Sequence, residues 1–426
     1  MMLSRILGFP FLSSDKDHRT SLATSSCVLT DDILIEILLR LPPNPAYLFR
    51  SFLVCKHWRS LIVDHRFLSR FQAFHGTPML GIFTNSTTIP RFLPIGDPPD
   101  SATAAAFLMP DLHWHVLGCR RSYVLLAGSS WRQLLVWNPI NGNRHYIPAP
   151  PDVDPRFNYG HVPESNAAVL CAAGHVDHSY CHSCPFFIIW VFTSTRYAYA
   201  TRYSPEDGGW SMMMSSPTPS HVDFRPSILI DQVLYWPLKS NYILALDLGA
   251  HTHRLYHIEC PPDTHDVYRR NVHIMKTEDG GLGLAAITKF NMSLWAWETD
   301  GKDVKGWVLR RIIELDKFLP IDVSLQPLMN NCLGRKPPVR ILGVVEDDDL
   351  VFIWTIIGVF AVQLKSMQFK KVFEADVSAT VYPYAGFSIA GAAGRAGEDA
   401  AAGQLCRTLK AMQLNGSRRL LHQVSA

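Results

Sequence analysis

The chain has 426 residues, of which 47% are hydrophobic and 18% are charged, and its formal net charge at pH 7 is +3. This length accommodates one small module and one larger domain, and the low charged fraction indicates a large buried core. Lys and Arg are spread along the chain without forming a basic block, so the composition argues against a protein that binds nucleic acid.

Residues 1–28 are predicted to form a disordered leader. The apolar run at residues 6–12 is too short for a signal peptide and contains Pro10, and no convincing cleavage site follows it. Asp15 and Asp17 lie in the Ser- and Thr-rich run that comes next, which argues against a transit peptide. A polar segment of this kind is typical of a disordered terminus.

Residues 29–42 predict an amphipathic helix. Its apolar positions fall on one helical face: Ile33, Leu34, Ile37, Leu38 and Leu41. Thr30 is placed to cap the N-terminus, and the two aspartates of the first turn complement the helix dipole. Two prolines, beginning with Pro42, end the helix.

Short helices are predicted to follow as far as residue 75. Asn44 and Pro45 are typical of a new helix start, and Asp64 is placed to cap a last short helix. Large apolar side chains recur throughout: Leu48, Phe49, Phe52, Leu53, Trp58, Leu61, Ile62, Phe67, Leu68, Phe71 and Phe74. A unit of this size is only marginally stable alone. Its surplus apolar surface is therefore covered either by the rest of the chain or by a partner protein.

Residues 29–71 resemble an F-box, particularly the plant version. The resemblance rests on the opening Leu-x-Asp-Asp-x-Leu, the run at residues 36–42, Val-Cys-Lys-x-Trp-Arg at residues 54–59 and Asp-x-Arg-Phe-Leu at residues 64–68. The family usually has Pro where this chain has Thr30, and that Pro commonly touches the adaptor, so the departure bears on adaptor affinity. By resemblance, seven residues contact the adaptor or directly support that contact: Leu29, Leu34, Ile37, Leu41, Pro42, Val54 and Trp58.

The resemblance implies a substrate receptor of a Skp–cullin–F-box ubiquitin ligase. In that family the F-box binds a Skp adaptor, and through it cullin and RING subunits, while the rest of the chain binds the protein to be ubiquitinated. The chain is then a non-catalytic subunit of the cytoplasm, the nucleus or both, with no nucleic-acid, membrane or cofactor partner. Two alternatives stay open: an enzyme built on a propeller, with its active site at the central channel, and an adaptor-bound scaffold that never delivers a substrate.

From about residue 76 to residue 388 the pattern predicts a repeating β-structure. In each unit an apolar strand precedes two strands around a polar turn, and these upstream strands begin near residues 123, 187, 232, 282 and 350. The units recur every ~45–65 residues, close to the kelch repeat of about 50. A β-propeller fits, because radial repetition leaves only short strand edges. The turn that begins Trp137-Asn138-Pro139 also resembles the associated domain of plant F-box proteins.

The predicted fold is α+β and multidomain, with a small helical F-box at residues 29–75 and a large all-β domain at residues 76–388. The β domain is predicted to be a kelch-like propeller of six or seven blades, and an irregular two-sheet structure is the alternative. Residues 79–83 begin a first unit, and residues near 380–387 complete or close the ring. Residues 389–426 are rich in Ala and Gly, and we expect a mostly disordered tail.

The longest uncharged apolar run, residues 350–364, is predicted to form two buried strands. It is shorter than the ~20 residues that a membrane-spanning helix needs. Gly358 divides the run, and β-branched and aromatic residues dominate both halves. We expect a turn near Gly358 rather than a membrane span.

No metal or cofactor site is expected. The nine scattered cysteines are an odd number, which is typical of a reduced intracellular protein. One loop between predicted strands holds a cluster with half of a zinc-site spacing: Cys171, His175, His178, Cys181, His182 and Cys184. Gly281-x-Gly283-x-x-Ala286 follows a turn rather than a strand, so it does not predict a dinucleotide site. The acidic run at residues 346–349 is expected to be a solvated hairpin turn rather than a cation site.

Overall fold

The computed structural model describes most of the chain between residues 30 and 385. The described residues are 30–41, 47, 51, 54–75, 79–85, 90–95, 114–139, 142–150, 164–172, 185–194, 196–211, 214–249, 253–299, 304–321, 337–374 and 379–385. The predicted leader and tail lie outside this part of the chain, and so does nearly all of the helix predicted to begin near Asn44.

The described N-terminal unit contains three α-helices: α1 (Asp31–Leu39), α2 (Lys56–Val63) and α3 (His65–His75). Thr30 occupies the N-cap position of α1 as predicted, but its side chain makes no capping hydrogen bond within the described residues. Cys55 caps α2 through Sγ, which accepts the Trp58 N–H at 3.4 Å. The Asp64 carboxylate accepts the Arg66 N–H at 2.7 Å, and this confirms the predicted cap of α3.

A small apolar core holds these helices together. Seven buried side chains form it: Leu34, Leu38, Leu39, Leu41, Ile62, Phe67 and Phe71. Phe67 and Phe71 stand one turn apart on α3, and their ring centroids are 5.9 Å apart. Removing this apolar surface from water is the main favourable term in folding the unit.

Six antiparallel sheets follow the helices. The first five strands that leave the helical unit are β1 (Met79–Asn85), β2 (Pro90–Pro94), β3 (Trp114–Arg120), β4 (Tyr123–Gly128) and β5 (Gln133–Trp137). The next ten are β6 (Arg144–Pro148), β7 (Glu164–Cys171), β8 (Phe186–Thr193), β9 (Tyr197–Ser204), β10 (Gly209–Trp210), β11 (Met214–Pro217), β12 (Ile228–Ile230), β13 (Val233–Pro237), β14 (Tyr242–Asp247) and β15 (Arg254–Glu259). The last nine are β16 (Val272–Lys276), β17 (Leu282–Thr288), β18 (Asn291–Thr299), β19 (Lys305–Glu314), β20 (Arg340–Val344), β21 (Leu350–Thr355), β22 (Gly358–Gln363), β23 (Phe369–Phe373) and β24 (Val381–Ala385).

The sheets are the blades of a propeller. Blade 1 contains β24, β1 and β2, blade 2 contains β3–β6, and blade 3 contains β7–β11. Blade 4 contains β12–β15, blade 5 contains β16–β19, and blade 6 contains β20–β23. The first strand of each of blades 2 to 6 is the innermost one. Around the channel, β3 contacts β24 and β7, β16 contacts β12 and β20, and β20 contacts β24.

Pairing of the last strand with the first closes the ring. β24 is the innermost strand of blade 1 and runs antiparallel to β1, from Ala385 opposite Met79 to Val381 opposite Thr84. Contacts of β24 with β3 and β20 place it between blades 2 and 6. The blade count is therefore six, where the sequence left six or seven open, and the two-sheet alternative is excluded. The predicted closing role of residues near 380 is confirmed.

The apolar run at residues 350–364 forms the hairpin that the sequence predicts. β21 and β22 pair from Leu350 opposite Gln363 to Thr355 opposite Gly358. Gly358 has φ +145°, and a Cβ built there would lie 2.8 Å from the carbonyl oxygen of Phe373. Glycine is therefore required at this turn. In the described part of the chain, no helix combines the length and apolar character needed to cross a bilayer.

Each pair of neighbouring blades encloses its own apolar core. Large indole side chains occupy three successive interfaces: Trp137 lies between blades 1 and 2, Trp190 between blades 2 and 3, and Trp236 between blades 3 and 4. All three are at most 2% exposed. Because a blade buries each of its faces only against its neighbours, the blades stabilise one another around the ring.

Asparagine side chains join the blades at alternate interfaces. Asn85 in blade 1 bonds both the N–H and the carbonyl of Val116 in blade 2, at 2.9 and 2.8 Å. Asn166 in blade 3 donates to two carbonyls that precede blade 4, at 2.9 and 2.8 Å. Asn271, just before blade 5, donates to the Val339 carbonyl at 2.9 Å, beside blade 6. These amides satisfy buried backbone groups that no strand partner reaches.

One arginine joins four blades within the channel. Arg120, at the end of β3, pairs with Glu346 after β20, with 2.7 Å between Nη2 and Oε2. The same guanidinium donates to the carbonyls of Val169 in blade 3 and Ser227 beside blade 4, at 3.1 and 3.3 Å. Burial alone lowers the pKa of Arg120, but the Glu346 carboxylate outweighs burial and holds that pKa above its ordinary value.

This arrangement corrects the expectation for residues 346–349. A hairpin turn between β20 and β21 is present, as predicted. Glu346, however, is not a solvated member of that turn, because its side chain is 20% exposed and bonded to Arg120. The Asp349 carboxylate accepts the Lys365 N–H at 2.7 Å, so it ties this turn to the segment between β22 and β23.

Ring closure is testable by two truncations. A chain ending at Glu374 lacks β24, whereas a chain ending at Ala385 keeps it. We expect the shorter chain to lose cooperative thermal unfolding, because the edge of β1 is left unpaired. The longer chain should keep the melting temperature of the full chain. Scanning calorimetry of the three proteins measures this, and the same melting temperature in both truncated chains would contradict the closure.

The channel ion pair is testable by a double-mutant cycle. Arg120→Met and Glu346→Leu each leave a buried charge without its partner, so each should lower the free energy of unfolding by roughly 3–5 kcal/mol. The double variant should lose clearly less free energy of unfolding than the two single variants together, because it leaves no buried charge without its partner. Urea titration of the full chain provides the measurement.

The matched control for this cycle is Arg310→Met, since Arg310 pairs with Glu298 at the surface with a side chain that is 58% exposed. Its loss should leave the free energy of unfolding nearly unchanged, because an exposed ion pair contributes little to stability. Fully additive losses at Arg120 and Glu346 would mean that the pair does not act as a unit.

Candidate functional sites

The first candidate site is an apolar pair on α1. Ile33 is 50% exposed, and Ile37, one turn later on the same face, is half-buried. Neither belongs to the apolar core of the unit, whereas Leu34 and Leu38 on the adjoining face do. An apolar pair at this spacing, one residue exposed and the other half-buried, forms a short ridge on which another protein can pack.

The seven residues predicted to serve adaptor binding differ in their burial. Leu34 and Leu41 are 3% and 5% exposed in the core, where they support the surface without forming it. Ile37 and Val54 are half-buried, and Trp58 is half-buried against the core. Leu29 and Pro42 lie outside the described residues. Ile33, which belonged to the predicted stripe but not to the predicted contact set, is the most exposed apolar side chain of α1.

Polar contacts brace α1 against the other two helices. The Glu36 carboxylate accepts hydrogen bonds from Arg40 at 2.7 Å and from Arg70 of α3 at 2.6 Å. Bonds from these two guanidinium groups lower the pKa of Glu36. His57 of α2 lies 2.8 Å from the Asp31 carboxylate. The bracing leaves the face with Ile33 exposed.

The second candidate site is a cleft of about 270 Å³ at one mouth of the channel, which we name the channel-mouth cleft. Eight residues line it: Asp223, Phe224, Arg225, Lys239, Arg269, Arg270, Thr380 and Tyr382. Most of them come just before or at the start of the innermost strands of blades 1, 4 and 5, so the cleft lies at that end of the ring. Its base is buried, whereas the rim, with Phe224, Arg269 and Arg270, is exposed.

Tyr382 forms the floor of this cleft between opposite blades. Its hydroxyl accepts from Asn85 Nδ2 at 3.0 Å and donates to the Phe224 carbonyl at 3.5 Å. Burial raises the pKa of Tyr382, so the phenol keeps its proton and remains a donor. The hydroxyl thus links blade 1 to the loop that leads into blade 4.

The basic side chains around the cleft differ in charge, since the nearby His273 is neutral and the arginines are charged. Burial, with the added charge of Arg225, lowers the pKa of His273 to about 3, so this imidazole is neutral at physiological pH. Its Nε2 lies 3.0 Å from the Arg270 carbonyl. Burial, together with Arg269, also lowers the pKa of Arg225, although Asp223 acts in the opposite direction. The positive charge of the cleft therefore comes from Lys239 and three arginines.

Among the described residues, the sequence patterns considered for metal or cofactor binding do not come together as a site. Cys171 ends β7, and the other five members of the Cys and His cluster lie outside the described part of the chain. Within that part, no three His, Cys, Asp or Glu side chains are grouped to hold a metal ion. Gly281 precedes β17 directly, so a turn and then a strand surround the glycines, as predicted.

The chain matches two protein-family models. Residues 27–70 match the F-box domain, and residues 115–385 match the family described as F-box protein AT5G49610-like, beta-propeller. No curated protein matches the chain.

Similarity to solved structures is weak. A chain of the mitotic checkpoint complex is 12% identical over 62% of this chain and 65% of its own length, with a TM-score of 0.32. AztD of Citrobacter koseri is 10% identical over 62% of this chain and 72% of its own, with a TM-score of 0.33. The WD40 domain of SCAP from fission yeast is 10% identical over 63% of this chain and 58% of its own, with a TM-score of 0.29. At such scores these likenesses carry no argument.

The family assignment therefore rests on the two model matches and on the architecture. The first match covers α1, α2 and the first half of α3, and the second covers well over half of the chain, including blades 2 to 6 from residue 115 onward. The protein belongs to the F-box protein AT5G49610-like β-propeller family and carries an F-box domain ahead of its six-bladed propeller.

Proposed function

We propose that the protein is the substrate-recognition subunit of a Skp–cullin–F-box ubiquitin ligase in the cytoplasm, the nucleus or both. F-box domains generally bind Skp-type adaptors, and an F-box joined to a propeller is the arrangement expected of a substrate receptor. The presence of both in one chain is the observation that carries the proposal. The chain itself supplies proximity, because a bound substrate lysine meets the ubiquitin carrier at a raised effective concentration.

The helical unit supplies the adaptor contact in this proposal. Ile33 and Ile37 dock on the Skp adaptor, and Leu34 and Leu41 hold α1 in the orientation that presents them. Cullin and RING subunits join through the adaptor. Apolar side chains that are exposed in the free chain and buried in a complex are the usual anchors of such an interface.

The propeller acts as a binding module in this proposal, with ubiquitin transfer left to the partners. The central channel supports this proposal. A propeller enzyme would hold its active site there, but in this chain the side chains of Arg120 and Tyr382 occupy the channel and bond to neighbouring blades. A ubiquitination assay distinguishes this receptor from a scaffold that never delivers a substrate. Proteins captured by the propeller gain ubiquitin if the chain is a receptor and gain none if it is a scaffold.

Substitution of the exposed apolar pair tests the adaptor contact. Ile33→Ala with Ile37→Ala should weaken capture of a Skp adaptor about tenfold or more, because truncation of a buried anchor typically costs ~2 kcal/mol of binding. Quantitative pull-down of the adaptor by the full chain measures the change. Leu34 is unsuited to this test, since its loss would act through the core of the unit.

Phe74→Ala is the matched control, because Phe74 is a 64% exposed apolar residue on α3. It should leave adaptor capture within about twofold of the unsubstituted chain. Unchanged capture by the Ile33 and Ile37 double variant would place the adaptor elsewhere and remove the basis for the assigned face.

Restoring the family residue at position 30 is a separate test. Thr30 has φ −64° and ψ 154°, which is the backbone conformation that proline adopts. Thr30→Pro should therefore stabilise the helical unit by about 0.4–1 kcal/mol by restricting the unfolded chain. It should also strengthen adaptor capture. Thr30→Ala removes the same side chain without fixing φ, so it should give neither gain.

Thermal unfolding and adaptor titration of the Thr30 variants provide the measurements. Weaker adaptor capture by Thr30→Pro than by Thr30→Ala would contradict the expected gain, because the two variants lack the same side chain and differ only in the proline ring.

A further inference from the structure

The two ends of the channel differ in charge. In blades 2, 4, 5 and 6 a described turn follows the innermost strand, and we name these four the inner turns: residues 121–122, 231–232, 277–281 and 345–349. The channel-mouth cleft lies where the innermost strands begin, so the inner turns lie at the opposite end of the channel. Together with the last residue of each preceding strand, the inner turns hold three cations and seven carboxylates: Arg120, Arg121 and Lys276, and Asp231, Glu278, Asp279, Glu346, Asp347, Asp348 and Asp349.

Most of these carboxylates have no cation beside them. Glu346 pairs with Arg120, but within the described residues none of the other six carboxylates forms an ion pair. Asp231 and Asp347 are among those exposed to solvent. When the two remaining cations are set against the six carboxylates, the inner turns keep an excess of four negative charges.

The turn in blade 6 shows that this charge is concentrated. The Gln363 amide donates to the carboxylates of both Asp348 and Asp349. Burial raises the pKa of Asp348, and the Asp349 carboxylate adds to the rise, although the bond from Gln363 opposes it. Like charges held this close favour the approach of a cation.

The chain leaves the ring at this same end of the channel. β24 ends at Ala385, and the hydroxyl of Tyr384 donates to the carbonyl of Ser122 at 3.1 Å. Ser122 belongs to the inner turn of blade 2. Residues that follow Ala385 therefore start their path beside the inner turns and away from the channel-mouth cleft.

The sequence after β24 carries the opposite charge. From residue 400 to residue 426 it has four cations and no carboxylate, and we name this stretch the basic segment: its cations are Arg407, Lys410, Arg418 and Arg419. Residues 1–28 are a poorer match for the inner turns, because they carry three cations and two carboxylates. The basic segment thus equals in charge the excess that the inner turns hold.

The basic segment is long enough to reach all four inner turns. Arg407 comes 22 residues after Ala385, and a flexible chain of that length spans roughly 25 Å. Packed sheets lie ~10 Å apart, so opposite blades of a six-membered ring are roughly 20 Å apart near the channel. Because the segment is tethered to the ring, its effective concentration is high, and a contact that is weak between separate molecules still forms.

We infer that the basic segment docks on the inner turns of its own chain, at the end of the channel opposite the cleft. The inference goes beyond the proposed function, because it concerns neither the adaptor nor the substrate. The docked segment keeps basic regions of other proteins away from this face, and added salt weakens the contact. Contacts between exposed charges add little to stability, so removing the segment should leave the melting temperature of the ring unchanged.

Carbodiimide coupling of the full chain tests the inference. The reagent joins a lysine amine to a carboxylate that touches it, and Lys410 is the one lysine after residue 385. We expect Lys410 to couple to the inner turns about tenfold more than to Asp263 and Asp266, which are exposed at the opposite end of the ring. Mass spectrometry of the digested protein quantifies the coupled peptides. Their yield should not depend on protein concentration and should fall as salt is added.

Neutralising the arginines of the basic segment separates attraction from mere reactivity. The triple variant Arg407→Gln, Arg418→Gln, Arg419→Gln keeps Lys410 and every carboxylate. Its coupling to the inner turns should fall about tenfold, because three of the four attracting charges are lost. Unchanged coupling in this variant would overturn the inference.

The receiving face is tested in the same way. Asp231→Asn with Asp347→Asn leaves Glu278 and Asp279 able to react, so coupling of Lys410 to these two residues should fall several-fold if the inner turns attract the segment together. Asp263→Asn with Asp266→Asn is the matched control, since it removes an exposed pair from the other end of the ring. It should leave coupling to the inner turns within about twofold of the unsubstituted chain.

Two further outcomes would overturn the inference. The first is equal coupling of Lys410 to carboxylates at both ends of the channel. The second is coupling that joins two chains, which a mixture of isotope-labelled and unlabelled protein reveals and which rises with protein concentration. That result would assign the basic segment to a second copy rather than to its own ring.

Discussion

The buried contact between Arg120 and Glu346 is the interaction on which the geometry of the propeller depends. A guanidinium in a closed channel is tolerated only when its charge and its donors are satisfied together. Here Glu346 supplies the charge, and carbonyls of Val169 and Ser227 accept the remaining donors. Four of the six blades are therefore held in one relative position.

The two candidate sites use different physical chemistry. Ile33 and Ile37 offer a small apolar ridge, whose binding energy comes from removing hydrocarbon from water. The channel-mouth cleft offers concentrated positive charge, whose binding is sensitive to salt and to the charge of the ligand. The two surfaces therefore differ in the type of interaction that they offer as well as in position.

Features with local causes are predictable from this sequence, and features with distant causes are not. Gly358 inside a β-branched run predicts a hairpin because neighbouring residues suffice to form it. Blade number depends on which strand joins β1, and the Asn85 and Tyr382 side chains that meet there are 297 positions apart. Helical periodicity identifies an apolar stripe on α1, but the packing of α2 and α3 decides that Leu34 is buried while Ile33 is exposed. The acidic run after β20 does not reveal that Glu346 finds Arg120, and the cleft collects cations from three separate segments.

Closure of the ring by its last strand also sets the order of events during synthesis. β1 and β2 leave the ribosome early, but their sheet stays incomplete until β24 has been made, roughly 300 residues after the helical unit. Pairing over such a distance is slow, and the open edge of β1 is meanwhile available to other chains. The helical unit has its own core and depends on no later strand for it. A growing chain can therefore complete the helical unit, which exposes Ile33, well before the propeller closes, and the edge of β1 stays unpaired during the interval.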